Sequence, residues 1–120
     1  MTADRTVGVP TTDRGRATRR ALLAAAEQVF DEYSFDRASV SEITQRAGVA
    51  QGTFYLYFPD KQAIFIELVE TLSHGLRAAI AEAVADAPDR IAVERRGFEV
   101  FFDYITEHRS FYKLVRESEF

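Results

Sequence analysis

With 120 residues, 47% of them hydrophobic and ten Phe, the chain can fill one sizeable core or two small helical layers, and it is too apolar for a disordered segment. It has no Cys, which excludes a disulfide framework and a thiolate metal site, and His74 and His108 are too far apart in sequence to suggest a metal set. The net charge of −4 is unevenly placed: residues 1–62 hold eight Lys+Arg and eight Asp+Glu, whereas residues 63–120 hold seven against eleven. A neutral half with Arg14, Arg16, Arg19 and Arg20 clustered near its start, joined to an acidic half, suits a protein that touches phosphate at one end only.

Residues 1–13, with Gly8, Pro10 and several Thr but no apolar periodicity, predict a flexible tail. Over 18–33, Leu22, Ala26, Val29, Phe30 and Tyr33 recur at helical spacing among Arg, Glu, Gln and Asp, which predicts a first helix. Ser34 and Phe35 end it without a glycine; a left-handed Ser34 would cost about 1–2 kcal/mol. Ser39 with Glu42 three residues on is the pattern of a reciprocal cap, and Val40, Ile43 and Ala47 give the second helix an inner face. Gly48 interrupts as a residue able to take positive φ between two angled helices. A third helix over 51–58 stops at Pro59. Asp60 caps a long fourth helix reaching about residue 86, with the stripe Ile64, Phe65, Leu68, Leu72, Leu76, Ile80 and Ala83.

After Pro88 and Asp89 a fifth helix is expected over 90–107. It is apolar on two faces, Ile91, Phe98, Phe101, Phe102 and Ile105 on one, Val93, Val100 and Tyr104 on the other. Such a helix sits inside a bundle. Ser110 can start a sixth helix that runs to the chain end at Phe120 with no stop signal. The later helices carry more apolar surface than three helices can bury against each other, so the expectation is a fragment of a longer chain; a complete small protein that dimerises is the alternative. The longest early apolar run, residues 21–26, is followed at once by Glu27, far short of a membrane span. A cytoplasmic protein without membrane contact is the expected setting.

Residues 39–61, SVSEITQRAGVAQGTFYLYFPDK, carry the chemistry. A helix-turn-helix needs small or apolar residues at the helix crossing, a glycine in the turn and outward polar side chains on the second helix. Ile43, Ala47, Val49 and Phe54 answer the first need and Gly48 the second; Gln51, Thr53, Tyr55 and Tyr57 answer the third. Gln51 can pair bidentately with adenine, and Gly52 lets the backbone approach a duplex. The hydroxyls of Thr53, Tyr55 and Tyr57 can donate to phosphate oxygens, and Lys61 can add its charge as a phosphate anchor. Each residue also has a plainer reading: Tyr55 half-buried, Lys61 solvated, Gln51 a helix cap, the arginines a solvated face.

The stretch GVAQGTFYLYFPDKQAIF, residues 48–65, together with FDRASVSEIT before it, resembles the tetracycline-repressor (TetR) family of bacterial transcription regulators. The close match covers roughly residues 16–72. The resemblance implies an all-α protein: a three-helix head over 14–62, whose fourth helix leads into a ligand-binding, dimer-forming helical bundle that starts at 63–120. It also implies that Ser39 and Ser41 touch backbone or a base edge, that Gln51, Gly52 and Thr53 face the groove, and that Tyr55, Tyr57 and Lys61 hold phosphates. Three positions depart from the family pattern. Thr44 stands for alanine, so that the crossing either packs more loosely or the hydroxyl bonds back to its own helix. Ala50 stands for serine, losing a cap worth about 1 kcal/mol, and Ser34 stands for glycine.

The expected function is therefore a ligand-responsive transcriptional repressor that binds operator DNA as a homodimer. It needs no cofactor, metal or catalytic residue. Phe98, Phe101, Phe102, Tyr104 and Phe111 are the candidate lining of an effector pocket, against the plainer reading that they are core. A helical protein–protein or apolar-ligand module without a DNA role is the alternative; it predicts that the arginines, Tyr57 and Lys61 do not share a face. An enzyme is the weakest class, since there is no phosphate-cradling glycine loop, metal spacing or nucleophile near a His.

Overall fold

The computed structural model describes residues 12–118 and is helical, in the order α1 (Asp13–Glu32), α2 (Val40–Ala47), α3 (Gln51–Tyr57), α4 (Lys61–Val84), α5 (Arg90–Glu107) and α6 (Phe111–Ser118). It falls into two compact units, one ending at Leu68 and the next beginning at Val69. The tail expected over residues 1–13 lies outside the described residues up to position 11.

The first helix begins at Asp13, five residues before the start expected at 18. Thr12 is its N-cap, with the Gly15 N–H donating to Thr12 Oγ1 at 3.0 Å, and Asp13 sits favourably in the first turn. Thr12 and Asp13 thus belong to α1 and not to a tail. The helix ends without a left-handed residue: Tyr33 is extended, and the Arg37 and Ala38 N–H groups both donate to Ser34 O, at 3.1 and 2.9 Å. Ser34 starts a turn, so the strain expected of a left-handed serine is not incurred. Among the described residues positive φ occurs only at Gly48, at 74°, as the C-cap of α2.

α2 starts as its sequence predicts, with the Glu42 N–H donating to Ser39 Oγ at 3.0 Å. The Glu42 carboxylate accepts from Arg46 Nε at 3.4 Å, so half of the reciprocal cap is formed. Thr44 is buried and its hydroxyl, 3.1 Å from both Val40 O and Ser41 O, bonds back to its own helix, which resolves the alternatives at that position. Ala50 precedes α3 with no side-chain cap. Phe58 is extended at ψ 130°, the geometry demanded before Pro59, and closes α3. Asp60 then caps α4, 2.8 Å from the Ala63 N–H.

The core of the first unit is built from one face of each helix: Leu22, Ala26, Val29 and Phe30 from α1, Ile43 from α2, Phe54 from α3, and Ile64, Phe65 and Leu68 from α4. Phe30, Phe35 and Phe65 interlock edge-to-face and stacked with centroids 5.0–6.0 Å apart, each such pair adding about 0.5–1.5 kcal/mol beyond its buried area. Arg19 pairs with Glu67 and lies 4.9 Å over the Phe58 ring, tying α1 to α4. Arg46 bridges Glu32 at the end of α1 to α2.

The second unit is thinner. Leu72, Ala92, Ser110 and Leu114 are buried, and Tyr104 donates its hydroxyl to Leu72 O at 2.7 Å, close to Gly75, where a Cβ would lie 2.6 Å from that hydroxyl oxygen. The expectation that α5 is covered on both faces is not met: Ile91 and Val93 are exposed and Phe98 and Phe102 are more than 60% exposed. Tyr104 reaches α4, while Ile91, Val93, Phe98 and Phe102 stay open to solvent among the described residues.

Candidate nucleic-acid interface

The turn around Gly48 sets the angle between α2 and α3. Val49 returns its N–H to Thr44 O at 3.1 Å, so the chain leaves α2 tightly and α3 starts at Gln51. Within α3 the helical period sorts the side chains into three classes. Phe54 is fully buried and anchors the helix; Gln51, Gly52, Tyr55 and Leu56 are exposed; Thr53 and Tyr57 are half-buried. A seven-residue helix anchored by one aromatic ring has weak intrinsic stability, so its pose is fixed by that anchor and by the Phe54–Phe58 contact, with centroids 5.6 Å apart.

Thr53 and Tyr57 line one wall of an open groove with Val49 and Ala50. The opposite wall is the first turn of α1, Thr12, Arg14, Gly15 and Thr18. The groove therefore lies between the N-terminal end of a 20-residue helix, where the macrodipole favours an anion, and the hydroxyl-bearing edge of α3. Thr12, Gly15 and Thr18 escaped sequence reasoning because their role depends on α1 starting early; the threonine cap was the signal available. Leu56, 68% exposed on the outward face, was missed because an apolar residue in a short helix reads as core.

The expected residues are not all brought together. Gln51, Gly52 and Tyr55 lie on the exposed surface of α3, while Thr53 and Tyr57 turn to the groove beside α1. Ser39 and Ser41 are exposed at the start of α2; Ser39 Oγ accepts the Glu42 N–H and keeps its own proton to donate. Of the four arginines, Arg14 shares the groove with Tyr57. Arg19 is engaged by Glu67, and Arg16 pairs with Asp13.

Lys61 lies against the α1–α2 linker: its Nζ donates to Phe35 O at 2.6 Å, Ala38 O at 3.0 Å and Asp36 O at 3.4 Å, and lies 4.4 Å above the Phe35 ring. The physical reason is local: the α1–α2 linker exposes carbonyls that no helix satisfies, and a lysine in the first turn of α4 reaches them. The hydrogen bond from Arg46 holds the Glu32 carboxyl below the ordinary value of 4.5, and the same bond raises Arg46.

Of the rings expected to line an effector pocket, Phe98 and Phe102 stack at 6.5 Å, and Phe101 meets Phe102 edge-on at 5.5 Å, all on exposed surface. Tyr104 turns inward to Leu72 O. The Phe111 side chain lies outside the described residues. No group of acidic, His or Cys side chains that could hold a metal occurs among the described residues. None of their helices is long and apolar enough to cross a membrane.

A buried-anchor helix carried after a glycine turn, with its polar and hydroxyl side chains outward, is the geometry of a helix-turn-helix DNA reader. Residues 22–68 match the family described as "Bacterial regulatory proteins, tetR family", which makes this stretch a domain of that family. Over 106 residues it is 33% identical to the HTH-type transcriptional regulator EthR of Mycolicibacterium smegmatis, covering 81% of this chain and 49% of that protein. It is 28% identical over 102 residues to the HTH-type transcriptional activator FasR of the same organism, covering 85% and 47%. Among solved structures, the fatty acid degradation regulator FadR from Bacillus halodurans superimposes with a TM-score of 0.71 at 29% identity, over 77% of this chain and 49% of the other. The chain spans about half the length of the curated relatives it matches.

Proposed function

We propose that the unit ending at Leu68 is the DNA-reading head of a transcription regulator. In this reading α3 lies in the major groove and a phosphate strand rests in the groove between α3 and the start of α1. The observation that carries it is the sorting of α3: Phe54 is fully buried while Gln51, Gly52, Tyr55 and Leu56 are exposed together. Gln51 reads adenine through its amide, and Leu56 offers apolar contact to a thymine methyl. Tyr55, Tyr57, Thr53, Arg14 and the serines at 39 and 41 position the head on phosphates. The relatives named above support a regulatory role. One is named an activator, so the sign of regulation is left to experiment.

In the whole regulator, two heads in a homodimer read half-sites about 34–36 Å apart or a multiple of that. A small apolar effector in the helical body shifts the population of DNA-competent heads; the exposed Phe98, Phe101 and Phe102 are the aromatic surface on offer to it. The test is selection of duplexes from a random pool with the 120-residue chain, followed by anisotropy titrations across NaCl concentrations. The expected result is an enriched motif and an affinity that falls with log[salt] at a slope of about −0.9 per phosphate engaged. Gln51→Ala should relax preference at one position with the slope unchanged. Binding that selects no sequence and ignores salt would refute the assignment.

A further inference from the structure

We propose that Leu56 and the bare backbone at Gly52 form a subsite for the C5-methyl group of a pyrimidine. The head then reads thymine and 5-methylcytosine alike, and its binding responds to cytosine C5 methylation. The helical period places both residues on the crest of α3 that points away from the core. Each stands two residues from the fully buried Phe54, hence about 160° around the helix from it. Leu56 is 68% exposed, and among the described residues of the unit ending at Leu68 no large apolar side chain is more so. A Cβ built at Gly52 meets nothing within 4 Å. Helical side chains lean toward the N-terminus, over the turn before them, so Leu56 leans over a position that has no side chain of its own. The two make a shallow apolar notch, walled by leucine and floored by backbone. A single exposed leucine is ordinary on a protein surface; this one is set apart by its place at the crest of the helix assigned to the major groove.

The rest of α3 points to the same class of base. Residues 51–57 carry no charged side chain, so the pairing of Arg or Lys with guanine O6 and N7, the commonest specific contact, is not on offer from this helix. Gln51 supplies an amide suited to adenine, and Thr53 and Tyr57 turn to the groove beside α1. The crest itself offers a leucine, and the apolar group that a major groove presents is the C5-methyl. Thymine always carries that methyl. Cytosine carries it only after methylation, at the same ring position. A leucine does not tell those two sources apart, whereas it loses the contact with uracil or with unmodified cytosine. This deepens the DNA-reading assignment proposed above and rests on it.

The test uses the 120-residue chain and a duplex selected from the random pool. Each thymine is replaced singly by uracil and each cytosine singly by 5-methylcytosine, and every duplex is titrated by anisotropy. At one step of the half-site the methyl should change Kd by about fourfold, the worth of burying one methyl-sized group, with the salt slope unaltered. A C·G pair and its 5-methylated form are then compared at that step. Wild type should bind the methylated duplex about fourfold more tightly, whereas Leu56→Ala should bind the two within about twofold of each other. Leu56→Gln, which keeps a long side chain but not its apolar character, should behave as Leu56→Ala does, and circular dichroism checks that both variants fold. The proposal is overturned if no step responds to a methyl, if the response survives in Leu56→Ala, or if 5-methylcytosine binds no better than cytosine at that step. A wild-type chain that binds no duplex at all would sink the DNA-reading assignment and this subsite with it, an outcome distinct from sequence-selective binding that ignores methyl groups.

Discussion

Gly52→Ala separates stability from DNA reading in one substitution. Gly52 sits at the second position of α3 with negative φ, and a Cβ built there meets no atom within 4 Å. Nothing in the fold therefore requires a glycine. Alanine lowers the entropy of the unfolded chain and suits a helix better, by up to about 0.5–1 kcal/mol in a helix interior and nearer 0.5 at this terminal position. For a unit of this size that corresponds to a rise in Tm of roughly 2–4 °C. The open space is where a duplex would lie. A methyl pushed into a packed interface costs about 1–3 kcal/mol, which is a loss of roughly 5- to 150-fold in Kd. Thermal unfolding by circular dichroism and anisotropy titration of a selected duplex read the two effects. A variant that melts higher and binds as well as wild type would refute the placement of α3 against DNA. One that melts lower would refute the claim that the fold has no use for the glycine.

Leu56→Ala should bind selected duplexes only a few-fold more weakly, and replacing single thymines by uracil should weaken wild type at one position but leave the variant indifferent there. Loss of the methyl felt equally by both proteins would remove Leu56 from the interface. Ala50→Ser restores a capping hydroxyl at a backbone that is already extended, at φ −69° and ψ 149°, and should raise stability by about 1 kcal/mol; an unchanged melting curve would contradict the cap argument. Glu32 is held below 4.5 by Arg46, so its pairing contributes stability above that pH and loses it as pH falls through the lower folded-state value. The pair is exposed and screened. The expected result is a small deficit of Glu32→Gln at neutral pH that closes in acid; a deficit independent of pH would assign the effect to something other than this charge.

Much of this was readable from residues alone, because periodicity and caps are local. The limits of α5 follow from the Asp89 cap and the stripe after it, and Pro59 and Asp60 mark the break before α4 without reference to any other part of the chain. Phe54 as the inward side of α3 and Gln51 and Tyr55 as its outward side follow from the helical period. What stayed hidden depends on pairs distant in sequence. Arg19 looks like any solvated arginine until Glu67 and Phe58 are beside it, and nothing in the sequence brings the carbonyls of residues 35, 36 and 38 to Lys61. The start of α1 was misplaced for a different reason: its first turn carries no apolar stripe, and a lone Thr12 is a weak signal. The aromatic residues of α5 mislead in the opposite sense, since a ring at helical spacing predicts burial only if a neighbour is present to provide it.

The approach of Tyr104 to Gly75 ties the side chain allowed at 75 to the one present at 104. Any side chain at 75 collides with the phenolic oxygen at 2.6 Å, whereas the ring carbon behind it lies at 3.4 Å, an ordinary contact. Descendants of this sequence that gain an alanine at 75 should hence carry phenylalanine at 104, giving up the bond to Leu72 O, while those that keep tyrosine should keep the bare backbone opposite it.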